Sequence, residues 1–298
     1  MPDNKIALLF PGQGAQAVGM GKELCQNHPT ARKIFERANQ ILGFDLSKLC
    51  FEGPEDQLNK TNICQPALLV TSIAELEVLK EQSKLPQFSA LAGLSLGEYT
   101  ALAAGNALSF DDAVRIVERR GTFMQEACDQ HPSGMAAVMG IPLDKIKEVI
   151  GSINGVIGVA NLNTPGQVVI SGDNKAIEKA SAKLKEAGAR KVIPLKVAGA
   201  FHSPLMKSAE DKLKIELQKI NIKPPTMPII SNVTADYVTD PARIKNNLAR
   251  QVVSSVLWEA SMRKLIQDGF KTFYEIGSGN TLTGMMQRID STVQCTKL

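Results

Sequence analysis

At 298 residues, with 44% hydrophobic and 21% charged side chains, the chain can form one large domain or a main domain carrying a smaller one, and its composition excludes disorder. Its formal net charge of +4 comes from 34 basic and 30 acidic residues that are interspersed, so no basic block points to nucleic acid. Cys25, Cys50, Cys64, Cys128 and Cys295 are scattered without C-x-x-C or Cys/His metal spacing, so reduced thiols, a cytoplasmic location and no metal site are expected. The apolar run Ile6 to Phe10 is too short for a signal-peptide core, and no uninterrupted apolar stretch reaches the roughly 18 residues of a membrane helix.

Lys5 to Phe10, closed by Pro11 and Gly12, reads as a buried parallel strand followed by a loop. Gln65 to Lys80 has helical spacing, and Phe88 to Leu94 is a short apolar run leading into a Gly-Leu-Ser-Leu-Gly turn. A helix follows through Tyr99, and another spans about Phe110 to Cys128, with Ser109 as its cap and Asp111 and Asp112 in its first turn. Between Gly134 and Val197, apolar runs at Met135, Gly155, Gln167 and Lys191 are separated by helical stretches near Leu143 to Ile150 and Asn174 to Ala187. This is the β-α-β-β-α-β order of a ferredoxin-like unit. Beyond it come a helix over Pro204 to Ile220, short strands at Met227 to Asn232 and Thr272 to Glu275, and a largely helical Pro241 to Asp268. The expected fold is α/β, with a parallel-sheet domain of residues 1–130 and 198–298 and an inserted ferredoxin-like subdomain of residues 131–197.

Gly93-Leu94-Ser95-Leu96-Gly97 is a G-x-S-x-G sequence between a predicted strand and a predicted helix, the context in which such a serine is lifted to the sheet edge as a nucleophile. Short Gly/Ser patterns also arise by chance, so partners decide the matter. A neutral serine needs a base, and the chain has three histidines. His28 and His131 each precede a proline in polar, loop-like surroundings. His202 follows an apolar strand and the small-residue turn Ala198-Gly199-Ala200-Phe201, which makes it the base.

Pro11-Gly12-Gln13-Gly14, Gly93-Leu94-Ser95-Leu96-Gly97-Glu98 and Gly199-Ala200-Phe201-His202-Ser203 together resemble the malonyl-CoA:acyl-carrier-protein transacylases, the acyltransferases of fatty acid and polyketide synthesis. The similarity continues through Gln65-Pro66-Ala67-Leu68, Arg120-Gly121-Thr122-Phe123, Asn163-Thr164-Pro165-Gly166 and Glu275-Ile276-Gly277-Ser278-Gly279, almost the whole chain. The resemblance implies an α/β-hydrolase-like large domain and ping-pong transfer of a malonyl group from malonyl-CoA to the phosphopantetheine thiol of an acyl carrier protein, through an ester on Ser95. His202 would serve both half-reactions, oriented by the backbone carbonyl of Gln251, and the backbone N–H groups of Gln13 and Leu96 would form the oxyanion hole. Residue types and spacing do not choose between Arg119 and Arg120; the resemblance selects Arg120 to clamp the malonyl carboxylate. It also has Phe201 restrict space for an α-methyl branch, and Gln65 and Met124 are expected to line the pocket. Coenzyme A enters as part of the substrate, no cofactor is required, and a monomer is expected. Two departures stand out: Leu94 occupies the position where many members carry histidine, and Gly277-Ser278-Gly279 replaces a more usual Gly-Pro-Gly. An acyl hydrolase of the same fold, or a non-catalytic relative that binds carrier protein, are the competing readings. A carboxylate clamp argues against the first, and intact Ser95, His202 and Arg120 against the second.

Overall fold

A computed structural model describes residues 5–298. Strand β1 (Lys5–Phe10) is followed by four short or medium helices, α1 (Lys22–Asn27), α2 (Pro29–Leu42), α3 (Leu46–Glu52) and α4 (Glu55–Leu58), and by the long helix α5 (Thr61–Glu81). Then come β2 (Ala90–Gly93), α6 (Gly97–Ala104) and α7 (Phe110–Gln130). The middle of the chain forms β3 (Ser133–Met139), α8 (Leu143–Gly151), β4 (Ile157–Thr164), β5 (Gln167–Asp173), α9 (Asn174–Glu186) and β6 (Lys191–Pro194). The remainder supplies α10 (Lys207–Gln218), β7 (Ile229–Ile230), β8 (Tyr237–Val238), α11 (Pro241–Gln251), α12 (Trp258–Gln267), β9 (Phe270–Glu275), α13 (Thr281–Ile289) and β10 (Gln294–Lys297).

The larger sheet has the order β10-β9-β1-β2-β7-β8 and is parallel except at β8. Its central strands are covered on both faces. Leu8, Phe10 and Leu91 point into one helical layer, while Ala7, Leu9, Ala90 and Ala92 point into another built around Trp258 and Met262. Double coverage explains why β1 and β2 read as unbroken apolar runs. The smaller sheet, β4-β5-β3-β6, is antiparallel throughout, and this order with its two helices is the ferredoxin-like arrangement. It is stitched to the larger layer where Val256, just before α12, exchanges backbone hydrogen bonds with Ala160 and Leu162 of β4.

Helix α5 has the length and apolarity to cross a membrane, although no uninterrupted apolar run announces it. It is a core helix packed against α2 and α7, with 72% of that stretch buried inside the protein. Several boundaries differ from the sequence pattern for local reasons. Pro204–Met206 forms a 3-10 turn before α10, and the expected strand at Met227 to Asn232 shrinks to Ile229–Ile230 between Pro228 and the turn that leads to β8. The helical stretch from Pro241 to Asp268 breaks between Gln251 and Trp258, which leaves the carbonyl of Gln251 at a helix end.

Candidate active site

Gly93, Leu94, Ser95, Leu96 and Gly97 connect β2 to α6 in a turn where Ser95 has φ +53°, a left-handed conformation that L residues with a Cβ rarely adopt. The turn closes only because its glycines are bare: a Cβ on Gly93 would sit 1.9 Å from the backbone of Gly97. Asn232, two residues after β7, clamps the strained segment. Its Oδ1 accepts the Ser95 backbone N–H at 2.6 Å and its Nδ2 donates to the Gly93 carbonyl at 2.7 Å.

His202 lies in the connection between β6 and α10 and is a second left-handed residue, φ +57°. Its Nδ1 is 2.8 Å from the Gln251 carbonyl oxygen, which can only accept, so Nδ1 carries the proton. Nε2 is therefore a bare acceptor, and it faces Ser95 Oγ at 2.9 Å. Burial and then the nearby Arg120 charge depress the His202 pKa to about 4, so the imidazole is neutral at pH 7 and free to take a proton. His28 is half-buried between α1 and α2 and His131 is exposed at the end of α7; neither approaches Ser95.

Helix α7 turns Arg120 inward, to 1% exposure, and Arg119 outward, its side chain 59% exposed. The Arg120 Nη1 donates to Gln65 Oε1 at 2.5 Å, and Nη2 donates to Gln251 Oε1 at 2.9 Å and to Ser95 Oγ at 3.0 Å. Its guanidinium carbon sits 5.5 Å from the centre of the Tyr99 ring. All three hydrogen-bond acceptors are neutral oxygens, and among the described residues its Nε has no partner. Burial lowers the Arg120 pKa from its ordinary value, yet an arginine stays charged in such a setting.

These groups meet in a cavity of about 200 Å³ whose walls include Gln13, Leu94, Met124 and Phe201. Asn161 and Asn163 of β4 and Leu282 and Met285 of α13 close the remaining sides. A larger cleft of about 650 Å³ beside Lys33 and Phe110 contains none of the chemistry. The loop after β1 is pressed against the serine turn, since a Cβ on Gly12 would lie 2.4 Å from the Leu94 carbonyl oxygen. That contact brings the backbone of Gln13 beside the nucleophile, and among the described residues the N–H groups of Gln13 and Leu96 make no hydrogen bond.

Gln65 lies elsewhere than expected: it is fully buried behind Arg120 and off the cavity wall, donating to Met124 Sδ at 3.6 Å. The side chain of Gln251 is more engaged than its sequence suggested. Besides receiving Arg120, its Nε2 donates to the Ser95 carbonyl at 3.0 Å and to Glu98 Oε2 at 2.6 Å. Glu98, 2% exposed, also accepts the Asn232 backbone N–H at 3.1 Å; burial outweighs these bonds and raises its pKa to about 7. Sequence reasoning missed Asn232, Asn161 and Asn163. The signal was available for Asn232, a polar residue at the carboxyl end of a parallel strand, where open α/β sheets place their sites.

A serine held in a strained strand-to-helix turn, a neutral histidine oriented by a backbone carbonyl and a buried arginine beside both define a serine–histidine acyl-transfer site on an α/β sheet. The family model described as Acyl transferase domain matches residues 7–294, and the chain belongs to that family. A Bacillus subtilis (strain 168) protein named malonyl CoA-acyl carrier protein transacylase is 48% identical over 290 residues, covering 96% of this chain and 91% of that protein. The crystal structure of an acyl carrier protein S-malonyltransferase from Vibrio cholerae matches with a TM-score of 0.95 at 38% identity, covering 99% of this chain and 96% of the other. A solved complex of a type II PKS acyl-carrier protein with its malonyl-transacylase matches with a TM-score of 0.96 at 36% identity, covering 99% and 96%.

Proposed function

We propose that this protein transfers the malonyl group of malonyl-CoA to the phosphopantetheine thiol of an acyl carrier protein through a malonyl-Ser95 ester. In the first half-reaction Ser95 Oγ attacks the thioester carbonyl while its proton passes to His202 Nε2. The carbonyl oxygen becomes an oxyanion that the otherwise unpartnered Gln13 and Leu96 N–H groups would receive. Collapse breaks the C–S bond, and the leaving coenzyme A sulfur takes the proton from His202. In the second half-reaction the carrier thiol gives its proton to the same nitrogen and attacks the ester, and Ser95 leaves with that proton.

The observation that carries the reading is the Arg120 guanidinium, buried, 3.0 Å from the nucleophilic oxygen and hydrogen-bonded only to neutral oxygens. A buried cation without an anionic partner suits a substrate that brings its own carboxylate, and malonyl does. Phe201 beside His202 narrows the space around the acyl α-carbon. The buried Oδ1 of Asn163, which has no partner among the described residues, suits an amide N–H of the pantetheine arm. Residues 1–130 and 198–298 then supply Ser95, His202, Gln251 and Arg120, and residues 131–197 close the pocket around the acyl and pantetheine groups. Coenzyme A enters and leaves as substrate, no other cofactor is required, and free buried cysteines suit a cytoplasmic monomer. Incubation with malonyl-CoA followed by intact mass measurement tests the reading: wild type gains a malonyl adduct and Ser95→Ala does not. An adduct that persists in Ser95→Ala would overturn it.

A further inference from the structure

An acidic and a basic side chain are buried close together in this site and do not form an ion pair. Arg120 is 1% exposed and Glu98 2% exposed, and the side-chain amide of Gln251 stands between them. A glutamine amide can sit in either of two orientations, and here its neighbours allow one. The Nε2 end meets two oxygens, Glu98 Oε2 at 2.6 Å and the Ser95 carbonyl at 3.0 Å. The Oε1 end meets Nη2 of Arg120, which can only donate. Turning the amide over would set N–H against N–H at the arginine and oxygen against oxygen at Glu98 and Ser95, which is three unfavourable contacts for three favourable ones.

This arrangement solves a problem that the reaction poses. The guanidinium must be held in place, yet a carboxylate bonded directly to it would occupy the donors that the substrate carboxylate needs. An amide passes the restraint along without neutralising the charge. We propose that Glu98 is a positioning residue that sets selectivity for malonyl over acetyl, by orienting the Gln251 amide so that it restrains Arg120 and leaves the guanidinium unpaired for the substrate. The inference rests on the reading of Arg120 given above. It reaches the substrate only through Gln251 and Arg120, since Glu98 itself is not on the cavity wall.

The role differs from simple support of the serine turn. Asn232 holds Ser95 and Gly93 directly, so loss of that clamp disturbs the nucleophile for every thioester. Glu98 also accepts the Asn232 backbone N–H, and losing that bond touches both thioesters alike, whereas loss of its contact to Gln251 loosens Arg120 and adds a penalty only for a substrate that uses it.

The test compares kcat/KM for malonyl-CoA and acetyl-CoA in wild type, Glu98→Met and Glu98→Gln. Methionine is unbranched and close in size but its thioether is only a weak acceptor for the Gln251 N–H, whereas glutamine keeps an amide oxygen there. Glu98→Met is expected to lower kcat/KM for malonyl-CoA by about tenfold or more, mainly through KM, with acetyl-CoA changed less than about threefold; Glu98→Gln restores the ratio. Equal losses for both thioesters in Glu98→Met, or a Glu98→Gln variant as unselective as Glu98→Met, would overturn the proposal. Should Glu98→Met not fold, Glu98→Leu, which offers the Gln251 N–H no acceptor, takes its place, and equal losses for both thioesters there overturn the proposal as well. Arg120→Ala, run alongside, separates the two readings: if it keeps its preference for malonyl, the clamp itself is wrong, whereas if it loses that preference and Glu98→Met keeps it, only the role of Glu98 falls.

Discussion

Nε2 of His202 faces Oγ of Ser95 at 2.9 Å, and both residues hold left-handed backbone angles that the surrounding hydrogen bonds enforce. Because burial and Arg120 depress the His202 pKa to about 4, its base form persists well below neutrality. The rate of Ser95 acylation by malonyl-CoA should therefore stay level from pH 8 down to about 5 and decline only as pH approaches 4. Single-turnover acylation measured across that range checks this. A limb centred near the ordinary histidine value would show that the imidazole is more solvated than its position implies.

Arg120→Ala should slow acylation by malonyl-CoA about a hundredfold relative to acetyl-CoA, because one charge-assisted, desolvated contact to the substrate carboxylate is lost. Arg120→Lys should recover only part of the difference, since an ammonium cannot satisfy Gln65, Gln251 and a bidentate carboxylate together. Rates with the two thioesters under identical conditions decide it.

Asn232→Leu removes the acceptor for the part-buried Ser95 N–H and the donor to the buried Gly93 carbonyl. The expected cost is about 2–3 kcal/mol of stability, with acylation slowed alike for malonyl-CoA and acetyl-CoA. Denaturant unfolding and paired rate measurements test the two halves separately.

Glu98 and His202 should give opposing pH limbs to stability. The carboxyl of Glu98, raised from 4.5 to about 7 by burial, favours the folded state fully below pH 4.5, and that contribution is lost as pH rises towards 7. The imidazole of His202, lowered from 6.5 to about 4, contributes stability above pH 6.5 that is lost as pH falls towards 4. In wild type the two largely cancel. Glu98→Gln should leave a curve that rises with pH between about 4 and 6.5, and His202→Ala one that falls between about 4.5 and 7. Parallel curves for the two variants would contradict the assignment.

Asn163→Leu should raise KM for both thioesters by several-fold without altering their ratio, since it removes a pocket acceptor that serves the shared pantetheine arm. Initial-rate kinetics with malonyl-CoA and acetyl-CoA provide the check.

Much of this arrangement is written locally in the chain. The serine turn was legible because Gly93 and Gly97 are dictated by the bend itself, and β1 and β2 because strands covered on both faces leave no polar gaps. The ferredoxin-like unit was legible from the order of its apolar runs. Helices α1, α3 and α4 escaped notice because four to seven residues hold too few turns for a period to show, and the fourteen-residue α2 was not read either. Gln65 was misplaced for a different reason. Its neighbours in sequence give the helix, but whether it faces the cavity or the back of Arg120 depends on α7, whose packing against α5 no local pattern encodes. Asn232 and the amide of Gln251 act across contacts distant in sequence, and only the folded chain reveals them.

The close pairing of β1 with β2, ending at Phe10 opposite Gly93, gives the nucleophile turn and the Gln13 loop a common foundation. The chain's single tryptophan, Trp258, is fully buried in the layer that contains Ala90, Ala92 and Leu94. Its fluorescence thus reports on the strand that carries Ser95. Loss of acylation and the tryptophan signal should follow one curve on titration with urea, so the enzyme carries a built-in optical gauge of whether its own nucleophile is assembled.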